Sequence, residues 1–336
     1  AGSIVSMADY AATWQTNNVT VAPNGSEKIG GTNASVTLNT EGQSVTFVYV
    51  DSTQGWVNTM DSTSNVRGAS YVTATVSGAC NTLTTVCTDY KLAKFVGPGN
   101  FCISCAGNAA GSTELEYIVV GGGGSMPGIN YNNSPAAGGG AGGFRFASPS
   151  LAPATYPAKP LAAPAGLTAS VASFPIVVGA GGTGGPAGPP AGNAGTTGSP
   201  ASFSTITSTG GGNGGYSSTP GTDGGSGGGQ GDHPGGFGSG NTPPVSPSQG
   251  NPGGMSVTNP LNPAPGNGST GTGGGGGATA AGSNGGVNPT NPAGGGGNGG
   301  AGAGVPNAFG TSGQNCGSNY YFAGGGGGGV YTPNPA

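Results

Sequence analysis

Charged side chains are scarce in this sequence, in which 336 residues include only six Lys and Arg and ten Asp and Glu. From Pro234 to the last residue, no side chain carries a charge. Nucleic-acid binding depends on clustered Lys and Arg that displace the counterions of the phosphates, and the sequence has no such cluster. The composition therefore excludes a nucleic-acid partner.

Long apolar runs and amphipathic helices are also missing. A membrane-spanning helix needs about 20 consecutive apolar residues, whereas the apolar runs of this chain end after about five. No stretch shows the spacing of apolar residues that is typical of an amphipathic helix. The sequence thus predicts neither a membrane span nor an α-helix.

Cysteine and histidine, the usual ligands of zinc, number only five and one. A zinc site needs four ligands in paired knuckles, and the one close pair is Cys102 and Cys105 in FCISCAG. We expect structural cysteines, free or bridged, and no metal site. Cys80 and Cys87 bracket NTLTTV and form the candidate disulfide, because we expect them to lie across one hairpin; Cys316 is left over.

Glycine and proline dominate what remains, with 79 Gly and 28 Pro. Such a bias without a strict triplet period is typical of disorder or low complexity. However, short strand-like runs repeatedly lead into glycine tracts: IVVGGGG at 118–124 is echoed by IVVGAGG at 176–182, and looser versions occur at 204–215 and 319–329. Internal repetition of this kind predicts stacked copies of one unit.

Glycine tracts can pack without side chains. A polyproline II helix has three residues per turn and no internal hydrogen bonds, so its backbone groups must pair with neighbours or water. Glycine has no Cβ, and such helices can lie side by side. Collagen is the alternative, but Ala191 breaks the triplet register between GPAGPP and GNAGTTGSP. We predict a bundle of polyglycine II-type helices over residues 118–336, in which a branched side chain at Gly326 would disturb the packing.

The first 117 residues indicate β-structure. Alternating apolar residues precede an Asn24-Gly25 turn and then a Glu41-Gly42 turn, and each pattern predicts a hairpin. We expect a β module at 1–66, a second small β region at 67–117 and the glycine-rich domain at 118–336. The second region contains four cysteines, namely Cys80, Cys87, Cys102 and Cys105. The predicted fold is therefore an all-β N-terminal region followed by the polyglycine-type region, with essentially no α-helix.

One motif resembles a dinucleotide-binding turn. FPIVVGAGGTGG spells G-x-G-x-x-G at Gly179, Gly181 and Gly184. That motif works only if its last glycine opens a helix whose amides hold the pyrophosphate. Prolines at 186, 189 and 190 prevent such a helix, so we expect no nucleotide cofactor.

A second motif spells a hydrolase nucleophile turn. GGSGG places Ser226 in a G-x-S-x-G pattern, with Asp232 and His233 downstream. The turn requires a strand before the serine and a helix after it, and this stretch offers neither. We predict that the protein is not an enzyme and that it has no catalytic residue.

Several longer sequence segments resemble those of a known protein family. NNVTVAPNGSEKIGG followed by VTFVYVDSTQGW resembles the β module of tailed-bacteriophage tail fibres. DYKLAKFVGPGNFCISCAGNAAGSTELEYIVVGGGG resembles the segment that leads into the glycine-rich tip of marine phage fibres. GSGNTPPVSPSQGNPGG and YYFAGGGGGG are similar to stretches of that tip. The resemblance covers nearly the whole chain.

The resemblance implies a virion appendage that attaches the phage to its bacterial host, with no enzyme activity. Its implied partners are a cell-surface receptor (a glycan or an outer-surface protein) and other virion tail proteins. Such fibres are usually homotrimers, whereas some glycine-rich tip adhesins are single chains with a layered polyglycine core. The alternative is a glycine-rich structural protein of an extracellular filament or coat. Because the chain starts at Ala1 without a methionine, we expect a piece of a longer product.

Loops between glycine tracts are the expected receptor-binding sites, since binding residues concentrate on loops held by rigid frames. Aromatic rings stack on sugar faces and amides bond to hydroxyl groups. Two segments combine both groups, GINYNNSP and QNCGSNYYF. The candidate residues are Tyr131, Asn132, Asn133, Asn319, Tyr320, Tyr321 and Phe322, with Tyr216 and Phe237 as weaker ones.

Overall fold

The computed structural model describes residues 2–62, 69–86, 90–109, 111–128, 135–148, 155–186, 194–216, 219–232, 235–258, 270–286 and 295–330. The chain forms two compact units, the N-terminal unit (Ala1–Ser70) and the glycine-rich unit (Tyr71–Ala336). Among the described residues there is no α-helix, and the two short 3-10 helices are Lys159–Leu161 and Asn307–Phe309. The predicted fold class, strands followed by a glycine-rich region, is confirmed.

Among its described residues, the N-terminal unit contains five strands. They are β1 (Ile4–Ala8), β2 (Val19–Val21), β3 (Val36–Leu38), β4 (Ser44–Asp51) and β5 (Gly55–Ser62). Strands β1, β4 and β5 form an antiparallel sheet with β4 in the centre, and β2 pairs with β3. Leu38, Val45 and Phe47 are buried between these two groups of strands. Alternation along β4 thus supplies one buried face, as expected for a half-buried strand.

A buried carboxylate fixes the loops beside this core. Asp9 is 4% exposed, and it accepts backbone hydrogen bonds from Thr13 at 3.0 Å, Trp14 at 3.1 Å and Gly42 at 2.9 Å. Burial alone would raise the pKa of Asp9, but these N–H donors outweigh it and hold the pKa below its ordinary value. The ionised carboxylate therefore ties three parts of the chain together.

Of the two predicted hairpins, the first has a long connection and the second is wrong. Strand β2 pairs with β3 in the register Val19↔Leu38, and residues 22–35, which include Asn24-Gly25, connect them. Strand β3 does not pair with β4 across Glu41-Gly42, because β4 lies between β1 and β5. Both glycines do have the positive φ of a turn, +58° at Gly25 and +70° at Gly42. The positions of the two turns were therefore predicted correctly, whereas the packing of the sheets determines which strands pair.

The glycine-rich unit contains seventeen further strands among its described residues. They are β6 (Val72–Val76), β7 (Thr82–Val86), β8 (Tyr90–Lys94), β9 (Gly99–Ala106), β10 (Glu114–Leu115), β11 (Tyr117–Val120), β12 (Phe144–Ala147), β13 (Ala162–Ala163), β14 (Leu167–Thr168), β15 (Ala172–Val177), β16 (Ala201–Phe203), β17 (Ile206–Ser208), β18 (Val257–Thr258), β19 (Thr270–Gly271), β20 (Ala303–Pro306), β21 (Gln314–Cys316) and β22 (Asn319–Phe322). The largest sheet has the order β17-β16-β15-β9-β6, and smaller sheets pair β11-β12-β13 and β20-β22-β21.

The predicted boundary at residue 117 is wrong. Strand β9 comes from the expected second β region, yet it pairs along its length with β15, in the register Phe101↔Phe174. Phe101 and Ile103 are buried against residues on both sides of residue 117. The region from Tyr71 onward therefore shares one sheet and one core with the glycine-rich tracts. The predicted first boundary, at residue 66, lies close to the observed one at Ser70.

Between these strands, glycine-rich segments run extended and bond sideways. We name them tracts A (121–128), B (135–143), C (178–186), D (194–200), E (209–216), F (219–223), G (224–231), H (235–241), I (249–256), J (271–278), K (280–286), L (295–302) and M (323–330). In tract E, Gly211 and Gly214 both donate to carbonyls of tract A, while Gly212 and Gly215 both donate to carbonyls of tract G. Residues three apart therefore bond to the same neighbour.

The hydrogen-bond partners arrange the tracts in three layers. Tracts C, A, B and M form the first layer, D, E, G, J and L the middle layer, and F, H, I and K the third. Tract J, in the middle, donates through Gly273 and Gly276 to tract G, through Gly274 to tract K and through Gly275 to tract M. Such lateral bonds satisfy backbone groups that an extended segment cannot satisfy internally.

Candidate functional site

Successive tracts run in opposite directions. Tracts A and B are antiparallel, because Gly121 bonds to Gly143 and Gly124 to Gly140. Tracts A, C, E, G, I, K and M all run the same way, and B, D, F, H, J and L run back. The segments that join A to B, C to D, E to F, G to H, I to J and K to L consequently begin and end at one end of the bundle.

We call this end the apex, and it comprises the described residues 125–128, 135–136, 183–186, 194–196, 214–216, 219–221, 229–232, 235–237, 254–258, 270–272, 284–286, 295–297 and 328–330. Backbone pairs connect neighbouring ends here, including Tyr216 with Thr219, Gly286 with Gly295, and Gly271 with Val330. The joining segments 129–134, 187–193, 217–218, 233–234, 259–269 and 287–294 lie outside the described residues.

The opposite end, the base, is built from strands. Strands β11 and β12 flank tracts A and B there, and β20 and β22 flank tracts L and M. Phe144, Phe146, Tyr156 and Val305 form a buried apolar cluster at this end, with the Phe146 and Tyr156 ring centroids 6.0 Å apart. The base therefore holds the large side chains that the glycine tracts lack.

The two predicted receptor-binding segments differ in their connection to the bundle. Tyr131, Asn132 and Asn133 lie outside the described residues, but their segment leaves tract A and enters tract B at the apex. Asn319 to Phe322 form strand β22 at the base, in the centre of the sheet β20-β22-β21. The second segment is thus a strand and not a loop between tracts, because its backbone pairs on both sides.

The rings of this strand pack against the protein itself. A Cβ atom on Gly304 would lie 2.7 Å from the Tyr321 Cζ atom, and one on Gly313 would lie 2.8 Å from the Phe322 Cε2 atom, so both rings cover glycines. Phe322 also packs against the buried cluster at the base. Tyr320 is half-buried opposite Val305. These contacts give the three rings a structural role.

The two weaker candidates lie at the apex. Tyr216, which ends tract E, is only 4% exposed and belongs to the interior. Phe237 in tract H is 41% exposed and is available to a partner. The sequence-based choice of aromatic residues therefore does not distinguish a buried ring such as Tyr216 from an exposed ring such as Phe237.

The sequence analysis did not identify three exposed residues at the apex. Met126, Met255 and Val330 are 44%, 48% and 41% exposed. Each lies in the last three residues of a glycine tract, where the tract reaches the apex. Together with Phe237 they are the large apolar side chains that the described part of the apex exposes. A single large apolar residue at the last turn of a glycine tract was the signal that could have revealed them.

The cysteines follow the strands. Residues Thr82–Val86, which separate the candidate disulfide pair, form the single strand β7 and not a hairpin; β7 pairs with β8. Cys80 is exposed and its thiol is free, and Cys87 lies outside the described residues. Cys102 and Cys105 both lie on strand β9 and pair with Thr75 and Thr73 of β6. An irregularity in this pairing lies between the two cysteines, so both occupy the face opposite Phe101 and Ile103.

The enzyme-like motifs lie inside the tract bundle. Gly179, Gly181 and Gly184 belong to tract C, and tract C continues extended to the end of its described residues. Ser226 in tract G is fully buried, and its backbone N–H donates to Ala141 in tract B at 3.0 Å. His233 lies outside the described residues.

The described ranges contain neither a metal-ligand cluster nor a membrane-spanning helix. No group of three or more His, Cys, Asp or Glu side chains there is placed to hold a metal ion. Among the same residues, no helix has the length and apolar character needed to cross a membrane.

Comparison with known proteins agrees with this architecture at the level of the family. No curated protein matches the chain. The family model described as glycine-rich domain matches residues 96–336, well over half of the chain, and it includes all thirteen tracts. The match begins just before strand β9 and not at the first tract, as expected if β9 and the tracts belong to one unit. The chain belongs to the glycine-rich domain family.

Proposed function

We propose that the protein is a virion attachment protein, a tail fibre or fibre-tip adhesin that binds a receptor on the surface of the host bacterium. The observation that carries this proposal is the apex. At this end of the tract bundle, six chain segments leave one tract and enter the next. Strands and a buried apolar cluster occupy the other end of the bundle. A rigid frame that presents several segments side by side is a general way to build a binding surface.

The frame itself is a bundle of polyglycine II-type helices. Support comes from the lateral hydrogen bonds, which recur every third residue, the repeat of a helix with three residues per turn. Glycine is required because a Cβ at most tract positions would overlap a neighbouring carbonyl group, as at Gly124, Gly140 and Gly212. Such a frame contributes few side chains, so recognition falls to the apex.

A single chain is sufficient for this frame. Tracts B, E, G and J are surrounded by other tracts of the same chain, and most of their backbone N–H groups donate to carbonyls within it. The glycine-rich unit therefore functions as a monomeric tip, while any trimer, as in other fibres, forms through other parts of the appendage. The protein belongs to the virion and acts outside the cell, with other tail proteins as its neighbours.

The receptor is a glycan or an outer-surface protein. The apical segment at 129–134 contributes Tyr131, Asn132 and Asn133, which combine a ring with amides. Exposed Phe237 and Met255 lie on the described part of the same end. Rings and amides suit sugar faces and hydroxyl groups, and methionine adapts to apolar protein surfaces.

Two measurements test the proposal. Antibodies against the purified protein, labelled with gold, are expected to mark the tail appendage of intact virions and to leave heads unmarked. Purified protein is expected to bind host cells and to compete with phage adsorption in a saturable manner. A bacterial filament or coat protein, the alternative, would instead label cell-surface material and leave adsorption unchanged.

A further inference from the structure

The N-terminal unit contains a pocket that the proposed attachment function does not use. It has a volume of about 220 Å³, and its walls include Val5, Val21, Pro23, Phe47 and Trp56, together with Ala22, Asn24, Glu27 and Ile29. Pockets for whole small molecules are usually larger, about 300–1,000 Å³. This pocket matches a single long side chain.

One charged group interrupts the apolar wall. The indole Nε1–H of Trp56 donates to the Glu27 Oε2 atom at 3.0 Å, which fixes the carboxylate beside the ring. Within the described part of the chain, that indole is the only side chain bonded to the Glu27 carboxylate. A half-buried carboxylate attracts a cation and forms strong charge-assisted hydrogen bonds with it.

The apolar part of the pocket suits the stem of such a side chain. Long basic side chains bury their methylene groups along apolar surface and keep the charged head at a polar contact. Val5, on the edge strand β1, is 44% exposed and lies at the pocket. A methylene stem between Val5, Val21 and Phe47 would cover this surface.

The charge of the unit has the same sign as Glu27. Residues 1–70 contain five carboxylates against two basic side chains: Asp9, Glu27, Glu41, Asp51 and Asp61 against Lys28 and Arg67. A basic partner is therefore attracted to this unit over several ångström before contact is made. Arginine fits better than lysine, because its planar guanidinium both stacks on a ring and bonds to a carboxylate.

We propose that this pocket is a docking site for an arginine side chain presented by a partner protein. The guanidinium bonds to Glu27 beside the Trp56 indole, and the methylene stem packs on Val5, Val21 and Phe47. The site is built from residues of the N-terminal unit, so its test does not depend on the proposed receptor at the apex.

The chain provides its own internal control, because Trp14 and Trp56 are its two tryptophans. Two-dimensional NMR of the full chain is expected to give one indole N–H signal for each tryptophan. The variant Trp56→Phe lacks the Trp56 signal and so assigns both. N-acetyl-arginine amide is expected to shift the Trp56 signal in a saturable manner and to leave the Trp14 signal in place. N-acetyl-citrulline amide, a neutral isostere, is expected to bind about tenfold more weakly or worse.

Two variants separate charge from fold. Glu27→Gln keeps an oxygen that accepts the indole hydrogen bond and loses only the charge, so we expect arginine affinity to fall about tenfold. Glu41→Gln removes an exposed carboxylate elsewhere in the unit and is expected to bind like the parent. Equal binding of the arginine and citrulline probes, unchanged affinity in Glu27→Gln, or no shift of the Trp56 signal would each overturn the proposal.

Discussion

The Cα atom of Gly275 lies so close to the carbonyl oxygen of Gly139 that a methyl group on Gly275 would overlap that oxygen. Gly275 is in the middle layer and Gly139 in the first, and no flexible side chain separates them. Backbone cannot move aside as a side chain can, so the packing of whole tracts depends on the missing Cβ. The same relationship recurs between most neighbouring tracts.

Alanine at Gly275 is therefore expected to destabilise the glycine-rich unit by about 1–3 kcal/mol, the usual range for overpacking. Gly327 is the matched control, since the nearest atom to a Cβ there is 3.8 Å away, and Gly327→Ala should change stability by less than about 0.5 kcal/mol. Thermal melting of both variants measures the difference. Equal melting temperatures would contradict the bundle.

Gly326 occupies an intermediate position that the sequence could not reveal. A Cβ there would lie 3.3 Å from the backbone N and O of Gly139, which is tight but not overlapping. Valine at Gly326 adds two further methyl groups and is expected to lower the melting temperature, though less than valine at Gly275. The same pair of valine variants compared by amide hydrogen exchange gives an independent measurement.

Acid should unfold the N-terminal unit through Asp9. The pKa of Asp9 is lowered in the folded protein, so its contribution to stability is present above the ordinary pKa and is lost as pH falls through the folded value, below about pH 4. Both tryptophans, Trp14 and Trp56, lie in this unit. Their fluorescence therefore reports acid unfolding of this unit alone.

Asp9→Asn supplies the comparison for that experiment. The amide keeps one acceptor oxygen but loses the charge, so we expect lower stability at neutral pH and a shallower decline on acidification. Glu41→Gln, an exposed change beside the same turn, is expected to behave like the parent. An Asp9→Asn variant whose acid transition coincides with that of the parent would show that other carboxylates control the unfolding.

We expect aromatic substitutions in the two candidate segments to affect different properties, host-cell adsorption in one case and thermal stability in the other. Tyr131→Ala, in a segment joined to the apex, is expected to reduce host-cell adsorption and leave the melting temperature unchanged. The double change Tyr320→Ala with Tyr321→Ala removes rings that cover the base, so we expect a melting temperature several degrees lower. Adsorption counts and thermal melting on the same preparations test both, and normal adsorption of Tyr131→Ala would move the receptor contact elsewhere.

The cysteines beside strand β7 should react as thiols. The five residues Thr82–Val86 are extended, and at about 3.3 Å per residue they span roughly 13 Å. A disulfide requires Cα atoms within about 7 Å of each other, so we expect both Cys80 and Cys87 to be alkylated without prior reduction. Peptide mass spectrometry would reveal a linked Cys80–Cys87 peptide if the strand opens to allow the bridge.

The sequence by itself determined the class of this fold. Scarce charge and absent helical periodicity predicted strands and loops, and the repeated passage from IVV into glycine predicted stacked copies of one unit. Glycine has no Cβ, and this local property is enough to predict that tracts approach one another through their backbones. It also predicted correctly that Gly25 and Gly42 lie in turns.

Only the tertiary structure decided which segments meet. Strand β4 pairs with β1 and β5 and not with β3 across Glu41-Gly42, and β9 joins β15 across the predicted boundary, because burial of a whole sheet face outweighs a local turn preference. The same holds for the candidate site. Tyr131 and Tyr320 look alike in sequence, but the alternating direction of the tracts connects one to the apex, while strand pairing holds the other at the base. Glycine tracts have no side chains to specify their partners, so their neighbours are set by the connections and by the lateral hydrogen bonds of the assembled layers.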